Sequence, residues 1–367
     1  MRRGRAIVLV ATMACRESPG DAAGVAVVRV PDEVSCGRCA IEARTVATLE
    51  VPPDTSDGYP FFVRVDSQRR YWVIRQDGDL PVLFDSSGRF LQVVGRHGRG
   101  PGEFEGVVNI LVAGRDSILV LDRSRRGIWL DSTVTPQGDI RLPLAPHVPV
   151  VVSWPGTVVG SGAIPFQESR GPLYHLSFAS PQPTVIRQFQ LADVGENPEL
   201  TFYTWHHFSS PRRGRVWAMW SQRYDLGEFD ESLTRTRLLE RRPDWFPGTA
   251  PVNYDWKNEP PPPQTGGIEQ DEDGLLWAYS RVGAPTWKEA WPVVPEGVHE
   301  APARLIQREL LYHTVLEVID PRRGRVVSRL KINWYLLNPL HGRLAAFYEE
   351  GNLGGRIRIV ALDLVRP

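Results

Sequence analysis

Net charge is the first thing missing. Lys and Arg together number 43, as do Asp and Glu, leaving a formal charge of zero and a pI near 7.1. Such a chain has no overall pull toward nucleic acid or an anionic membrane, and nucleic acid is not an expected partner. Long apolar runs are missing too: beyond residue 14 nothing approaches the roughly 18 consecutive apolar residues of a membrane helix. Cysteine is down to 3 residues, so at most one intrachain disulfide can form. No Gly-x-Ser-x-Gly elbow, His-Glu-x-x-His or paired-carboxylate motif stands in the chain, so no catalytic residue is assigned. What is present is 42% hydrophobic and 10% aromatic residues with 33 Gly and 32 Pro, enough for a large core and many tight turns.

The N-terminus carries an address. Met1-Arg-Arg-Gly-Arg5 is a basic stretch and Ala6 to Ala14 a mostly apolar run, too short to span a bilayer and right for a signal peptide over 1–15. Ala14-Cys15 resembles the lipobox of bacterial lipoproteins, which implies Cys15 as lipid acceptor, although Thr12 stands where that family prefers Leu. The expected product is exported and lipid-anchored to a bacterial membrane, facing periplasm or cell surface. Residues 16–34 are small and polar and are expected to be a flexible tether, its 19 residues reaching about 60 Å if extended. Cys36 and Cys39 then read most simply as a structural disulfide in an oxidising compartment. Redox chemistry would need a neighbouring βαβ pattern, and zinc two further ligands.

From about residue 60 one short signature returns: a turn residue, then a strand with an apolar residue or Trp three places on. It stands as Arg69-Arg-Tyr-Trp72, Asp116-Ser-Ile-Leu119, Gly156-Thr-Val-Val159, Gly214-Arg-Val-Trp217, Gly274-Leu-Leu-Trp277 and Gly342-Arg-Leu-Ala345. The spacing of 40 to 68 residues holds four short strands and their loops, the content of one propeller blade. The spacing predicts an all-β, six-bladed β-propeller over 35–367. The last repeat is one strand short, while the strand-like run 41–50 has no blade of its own. An open sheet edge invites aggregation, so that N-terminal strand is expected to complete the last blade and close the ring.

The segment Gly95-Arg-His-Gly-Arg-Gly-Pro-Gly-Glu-Phe104, with Ile110, Asp116-Ser-Ile-Leu-Val-Leu-Asp122 and Ile128-Trp-Leu-Asp131, resembles the NHL repeat, in particular the bacterial six-bladed β-propeller lipoproteins. That group also tends to carry a Cys-x-x-Cys before its first strand. The resemblance implies the propeller fold and, since NHL proteins include enzymes and scaffolds, two functions. One is a membrane-tethered scaffold binding a protein or small anionic ligand; the other is a metal-dependent lyase or lactonase-like hydrolase with its site in the central channel.

In a four-stranded antiparallel blade, the loops between strands 2 and 3 and from strand 4 to the next blade emerge on one face. That face collects the 95–104 segment, the Asp122–Gly127 loop, the insertions Ser161–Pro172 and Arg281–His313, and Pro260-Pro-Pro-Pro263. Long loops gathered on a rigid ring are where binding is built. Arg96, His97, Arg99, Arg123, Arg125 and Arg126 give it basic character, and Trp287 and Trp291 are candidate contact residues. Arginines equally often solvate turns. The segment is not a phosphate cradle, because Pro101 and a strand follow it instead of a helix N-terminus. The Pro-Arg-Arg-Gly-Arg runs at 211–215 and 321–325 belong to the opposite face and read as turns. His206 and His207 point to opposite sides of one strand, so only one can face the channel. Neither a cofactor nor a metal is called for by any motif, and a monomer is expected.

Overall fold

The computed structural model of the chain describes residues 25–52, 60–75, 80–113, 117–142, 145–154, 157–163, 173–177, 184–189, 206–220, 223–232, 234–248, 258–291, 307–349 and 355–367; for strands between 145 and 189 it describes the backbone alone. The leader, Cys15 and the first part of the tether lie outside these.

The chain is an all-β β-propeller. It begins with β1 (Ala26–Val30) and β2 (Ala40–Glu50). Sheets then follow in chain order: β3 (Pro60–Val65), β4 (Tyr71–Arg75), β5 (Val82–Phe84) and β6 (Phe90–Val93), a two-residue parallel pair β7 (Arg96–His97) and β8 (Glu103–Phe104), then β9 (Val107–Ala113), β10 (Ser117–Asp122), β11 (Arg126–Asp131) and β12 (Pro136–Arg141). Next come β13 (Ala145–Trp154), β14 (Thr157–Ala163), β15 (Leu173–Ser177) and β16 (Thr184–Phe189), and β17 (His206–Phe208), β18 (Arg215–Trp220), β19 (Leu226–Asp230) and β20 (Arg235–Arg241). The last are β21 (Gln264–Gln270), β22 (Leu276–Gly283), β23 (Tyr312–Asp320) and β24 (Arg325–Ile332), and β25 (Tyr335–Leu340), β26 (Leu344–Glu349) and β27 (Arg356–Val365). The three strands β25 to β27 take β2 as their fourth, paired antiparallel along β27 from Ala40↔Val365 to Glu50↔Arg356. The innermost strands β3, β9, β13, β17, β21 and β25 each touch the next, and β25 touches β3.

The repeated signature lies on the second strand of its sheets, and its tryptophans are core. Trp72, Trp217 and Trp277 are almost wholly buried. Two of their indoles are satisfied in the same way. Trp72 Nε1 donates to Asp66 at 3.0 Å and Trp277 Nε1 to Asp271 at 2.9 Å, each aspartate six residues earlier in the turn from the inner strand. The turns between the third and fourth strands also rest on an aspartate: Asp85 accepts the backbone N–H of Ser87 and Arg89, and Asp131 those of Thr133 and Thr135. This is the local side-chain competition for backbone donors that favours Asp in turns.

The tether reading for 26–34 is corrected. Ala26-Val-Val-Arg-Val30 is β-branched enough to pair, and β1 lies parallel along β20 as a fifth strand of that sheet. The chain then crosses to the next sheet, where Val34 bridges Val326 and Ser35 donates from both N and Oγ to the Val326 carbonyl. The Cys36–Cys39 disulfide follows, with Cα atoms 5.4 Å apart, and packs against the core between the last two sheets before β2 begins. Residues 26–50 thus run as a strap over the outer strands of three consecutive sheets.

Beneath this strap lies a buried ionic cluster. Glu317, fully buried in β23, accepts from Arg241 Nε at 2.9 Å and Nη2 at 2.6 Å, from Arg329 Nε at 2.6 Å and from the Tyr224 hydroxyl at 2.6 Å. Arg241 also donates to the Pro31 carbonyl and Asp32 Oδ1, both at 2.7 Å, and Arg329 to Asp32. Every charge in it has several partners, the condition under which a buried ion is tolerated.

Candidate functional site

The glycine-rich segment 95–104 is built around Glu103 and Phe104. Phe104 is fully buried between the β3–β6 and β9–β12 sheets, and Gly95, at φ +77, lies where a Cβ would collide with its ring at 2.3 Å. Glu103 accepts the Gly100 N–H at 2.7 Å and Arg96 Nε at 2.7 Å; these contacts, the backbone one first, hold its carboxyl below the ordinary range. Gly98, at φ +145, leaves the space that carboxylate fills. The glycines therefore serve the fold of the segment.

Its neighbour on the face is the β10–β11 turn, and the two are laced together. Asp122 Oδ2 accepts the N–H groups of Glu105 at 2.7 Å and Gly106 at 3.2 Å, and Arg126 donates to the carbonyls of Arg99 at 3.0 Å and Gly100 at 3.3 Å. The two loops, assigned to one face from the strand count, are hydrogen-bonded to each other. The expected surplus of positive charge is smaller than the arginine count suggests. Arg96 pairs with Glu103, Arg99 with Glu105 at 2.5 Å and Arg126 with Asp139 at 3.1 Å. Arg125, at φ +67, donates to the Leu142 carbonyl at 3.3 Å. Arg96 and Arg99 nonetheless stay 77% and 81% exposed, and Arg123 and His97 are exposed beside them.

The tryptophan reading is corrected. Trp287 is 8% exposed and sits in a 3-10 turn, Trp287–Ala290, within the main core cluster; Trp291 packs partly buried against it. The turn is tied to a short helix, Arg308–Leu311, by Ala284 N donating to the Leu311 carbonyl and Gln307 N to that of Ala290. The ends of the β22–β23 insertion are thus packed structure; its residues 292–306, and 164–172 of the other insertion, lie outside the described residues.

A second concentration of polar groups lies on the inner strands, where the sequence pattern assigned nothing except one histidine. His206 is described by its backbone alone. His207 is half-buried, and burial first, then the Arg281 guanidinium, push its imidazole down to about 4, so it is neutral at ordinary pH. Arg281 itself spans to the next sheet, donating to the Leu336 and Leu337 carbonyls at 2.9 Å. Asn338 of β25 both accepts from Val63 N at 2.8 Å and donates to Val63 O at 3.1 Å, a side-chain imitation of a strand ladder between neighbouring sheets. Glu269 of β21 accepts from Ser210 N and Oγ, both at 3.2 Å, and burial, partly offset by Ser210, Arg64 and Arg212, pushes its carboxyl up to about 7. Sequence reasoning passed over Glu269 because a lone Glu in Gly-Gly-Ile-Glu-Gln looks like an ordinary outward strand residue. Among the described residues no three His, Cys, Asp or Glu side chains gather in a metal-holding group, and no helix is long and apolar enough to cross a membrane.

No protein-family model and no curated protein sequence matches the chain. Among solved structures it is similar to a candidate exported protein of Bacteroides fragilis, with a TM-score of 0.56 at 8% identity over 94% of this chain and 100% of the other. It also overlaps the WD40 domain of Neurospora crassa Pan2 (TM-score 0.49, 10% identity, 89% and 86% covered) and virginiamycin B lyase of Staphylococcus aureus (0.45, 10%, 89% and 100%). The first likeness shows the β-propeller fold and nothing of function; the other two overlap too loosely to add to it.

Proposed function

We propose that the chain is an exported propeller of six blades, closed by β2 and tethered to a bacterial membrane through Cys15, that serves as a binding scaffold for a protein or small anionic ligand on its long-loop face. The leader-like run ending at Ala14-Cys15, the exported character ascribed to the Bacteroides fragilis neighbour and the Cys36–Cys39 disulfide all support the address. The pairing of β2 with β27 and the contact of β25 with β3 support the ring. The observation that carries the binding role is the lacing of the 95–106 and 122–126 loops into one fixed surface by Asp122 and Arg126, with Arg96, Arg99 and Arg123 exposed on it. Loops fixed before binding lose little entropy on contact. The metal-dependent alternative has no specific observation behind it among the described residues.

Two experiments test this. Cys15→Ser should move the protein from the membrane fraction to the soluble exported fraction; unchanged membrane retention would contradict the tether. An envelope-extract pull-down with the Arg96→Glu, Arg99→Glu, Arg123→Glu variant should lose the partner retained by the parent at unchanged melting temperature. Retention of the same partner by that variant would contradict the face.

A further inference from the structure

On the face away from the long loops, the ends of the inner strands hold groups that the scaffold reading does not use. Arg64 stands next to last in β3, Glu269 next to last in β21, Ser210 two residues past β17, and Arg212 in the following turn. They come from three sheets, yet Glu269 accepts from Ser210 and lies within electrostatic reach of Arg64 and Arg212. Arg64 is half-buried. Its Nη1 reaches the neighbouring Val63 carbonyl at the limit of 3.5 Å, its Cζ stands 4.7 Å from the Phe62 ring centroid, and among the described residues it makes no ion pair. A guanidinium offers five N–H donors, and the described residues take up few of them. The Tyr279 hydroxyl is wholly buried, has no hydrogen-bond partner among the described residues, and lies close enough to feel the Glu269 charge.

We propose that this cluster at the inner-strand ends binds a small carboxylate, gripped by the Arg64 guanidinium, attracted by Arg212 and hydrogen-bonded by the Glu269 carboxyl. The sign follows from the described charges around Glu269: Arg64 from β3 and Arg212 from the β17–β18 turn are cationic, Tyr279 from β22 and Ser210 are neutral, and among the described residues Glu269 is the one acid there. A planar carboxylate takes the guanidinium fork and accepts the proton of a neutral Glu269, whereas ionised Glu269 repels it. Because that carboxyl is pushed up to about 7, it is protonated in about nine molecules of ten at pH 6 and about one in ten at pH 8. If only the protonated form binds, affinity falls about tenfold between these pH values. The site lies at the opposite end from the long loops, and its test is independent of the loop-face reading.

Isothermal titration calorimetry with galacturonate and with triglycine, each carrying a carboxylate, separates a sugar acid from a peptide C-terminus; glucose and triglycinamide are the controls. We expect one or both carboxylates to bind, about tenfold tighter at pH 6 than at pH 8, with the controls at least tenfold weaker. Glu269→Gln should hold the pH 6 affinity at both pH values, and Arg64→Gln should abolish binding with its near-UV circular dichroism unchanged. Should Arg64→Gln fail to fold, the Glu269→Gln profile decides alone. Silence of both carboxylates at millimolar concentration and pH 6, equal binding of a control, or a tenfold pH slope surviving in Glu269→Gln would each overturn the proposal.

Discussion

Replacing Glu317 by alanine cuts the centre out of the cluster beneath the strap. Its two oxygens accept four hydrogen bonds, from Arg241 twice, Arg329 and Tyr224, and both its side chain and that of Arg241 are fully buried. Without the carboxylate, Arg241 keeps the Pro31 carbonyl and the half-exposed Asp32 but sits as an undercompensated charge, a loss of about 3–5 kcal/mol. Unfolding entropy of about 2.1 cal/mol/K per residue gives about 0.7 kcal/mol/K for the 343 residues from 25 to 367. The melting temperature should therefore fall by about 4–7 °C in a calorimetric scan. The double variant Arg241→Met, Glu317→Leu removes both buried charges and should recover at least half of that drop, since an apolar replacement of a buried pair is often neutral. A Glu317→Ala melt within 1 °C of the parent would refute the reasoning, because a solvated cluster is the one arrangement that tolerates the loss.

Three further outcomes are expected. Leu49→Ala, in a strand residue fully buried against the main core, should cost about 2–5 kcal/mol by chemical denaturation. Asp271→Ala should cost about 1–3 kcal/mol by the same measurement, because it strands the buried Trp277 indole and the Leu275 N–H that it accepts. The pH dependence of stability should carry the sign of Glu269. Its folded carboxyl is raised from 4.5 to about 7, so the folded state holds the proton more tightly and stability falls as pH climbs through that window. Glu269→Gln should remove that fall, raising stability at pH 8 by on the order of 1–3 kcal/mol after allowance for partial solvation and leaving it unchanged at pH 4.

Much of the fold was legible because period-2 apolar patterning and turn chemistry are local. The strand at Gly214-Arg-Val-Trp217 follows from its own residues, and the 41–50 strand from its β-branched content together with the shortage in the last repeat. What lay hidden depends on partners far away in the chain. Ala26–Val30 reads as a tether until β20 offers it an edge, and the length of the 284–311 insertion conceals that Trp287 folds back into the core. Glu317 carried a signal that could have been taken: a single acid inside Thr314-Val-Leu-Glu-Val-Ile is out of place on a buried strand, and Arg241 and Arg329 are its natural answers, 76 and 12 residues away. The repeated aspartate six residues before Trp72 and Trp277 was likewise readable as a capping device. At the loop face, position was legible and net charge was not, because Glu103, Glu105 and Asp139 had to be placed before the arginines could be seen as paired.

The central claim is that one ring is closed by the N-terminal strand, and removing residues 25–50 addresses it most directly. That deletion bares the edge of β27 along its whole pairing with β2 and takes Ile41, Ala47 and Leu49 out of the core. Measured by calorimetry with size-exclusion chromatography and light scattering, the shortened chain should melt at least 10 °C lower and associate through the open edge. A monodisperse monomer with the parent's melting temperature would contradict closure by this strand.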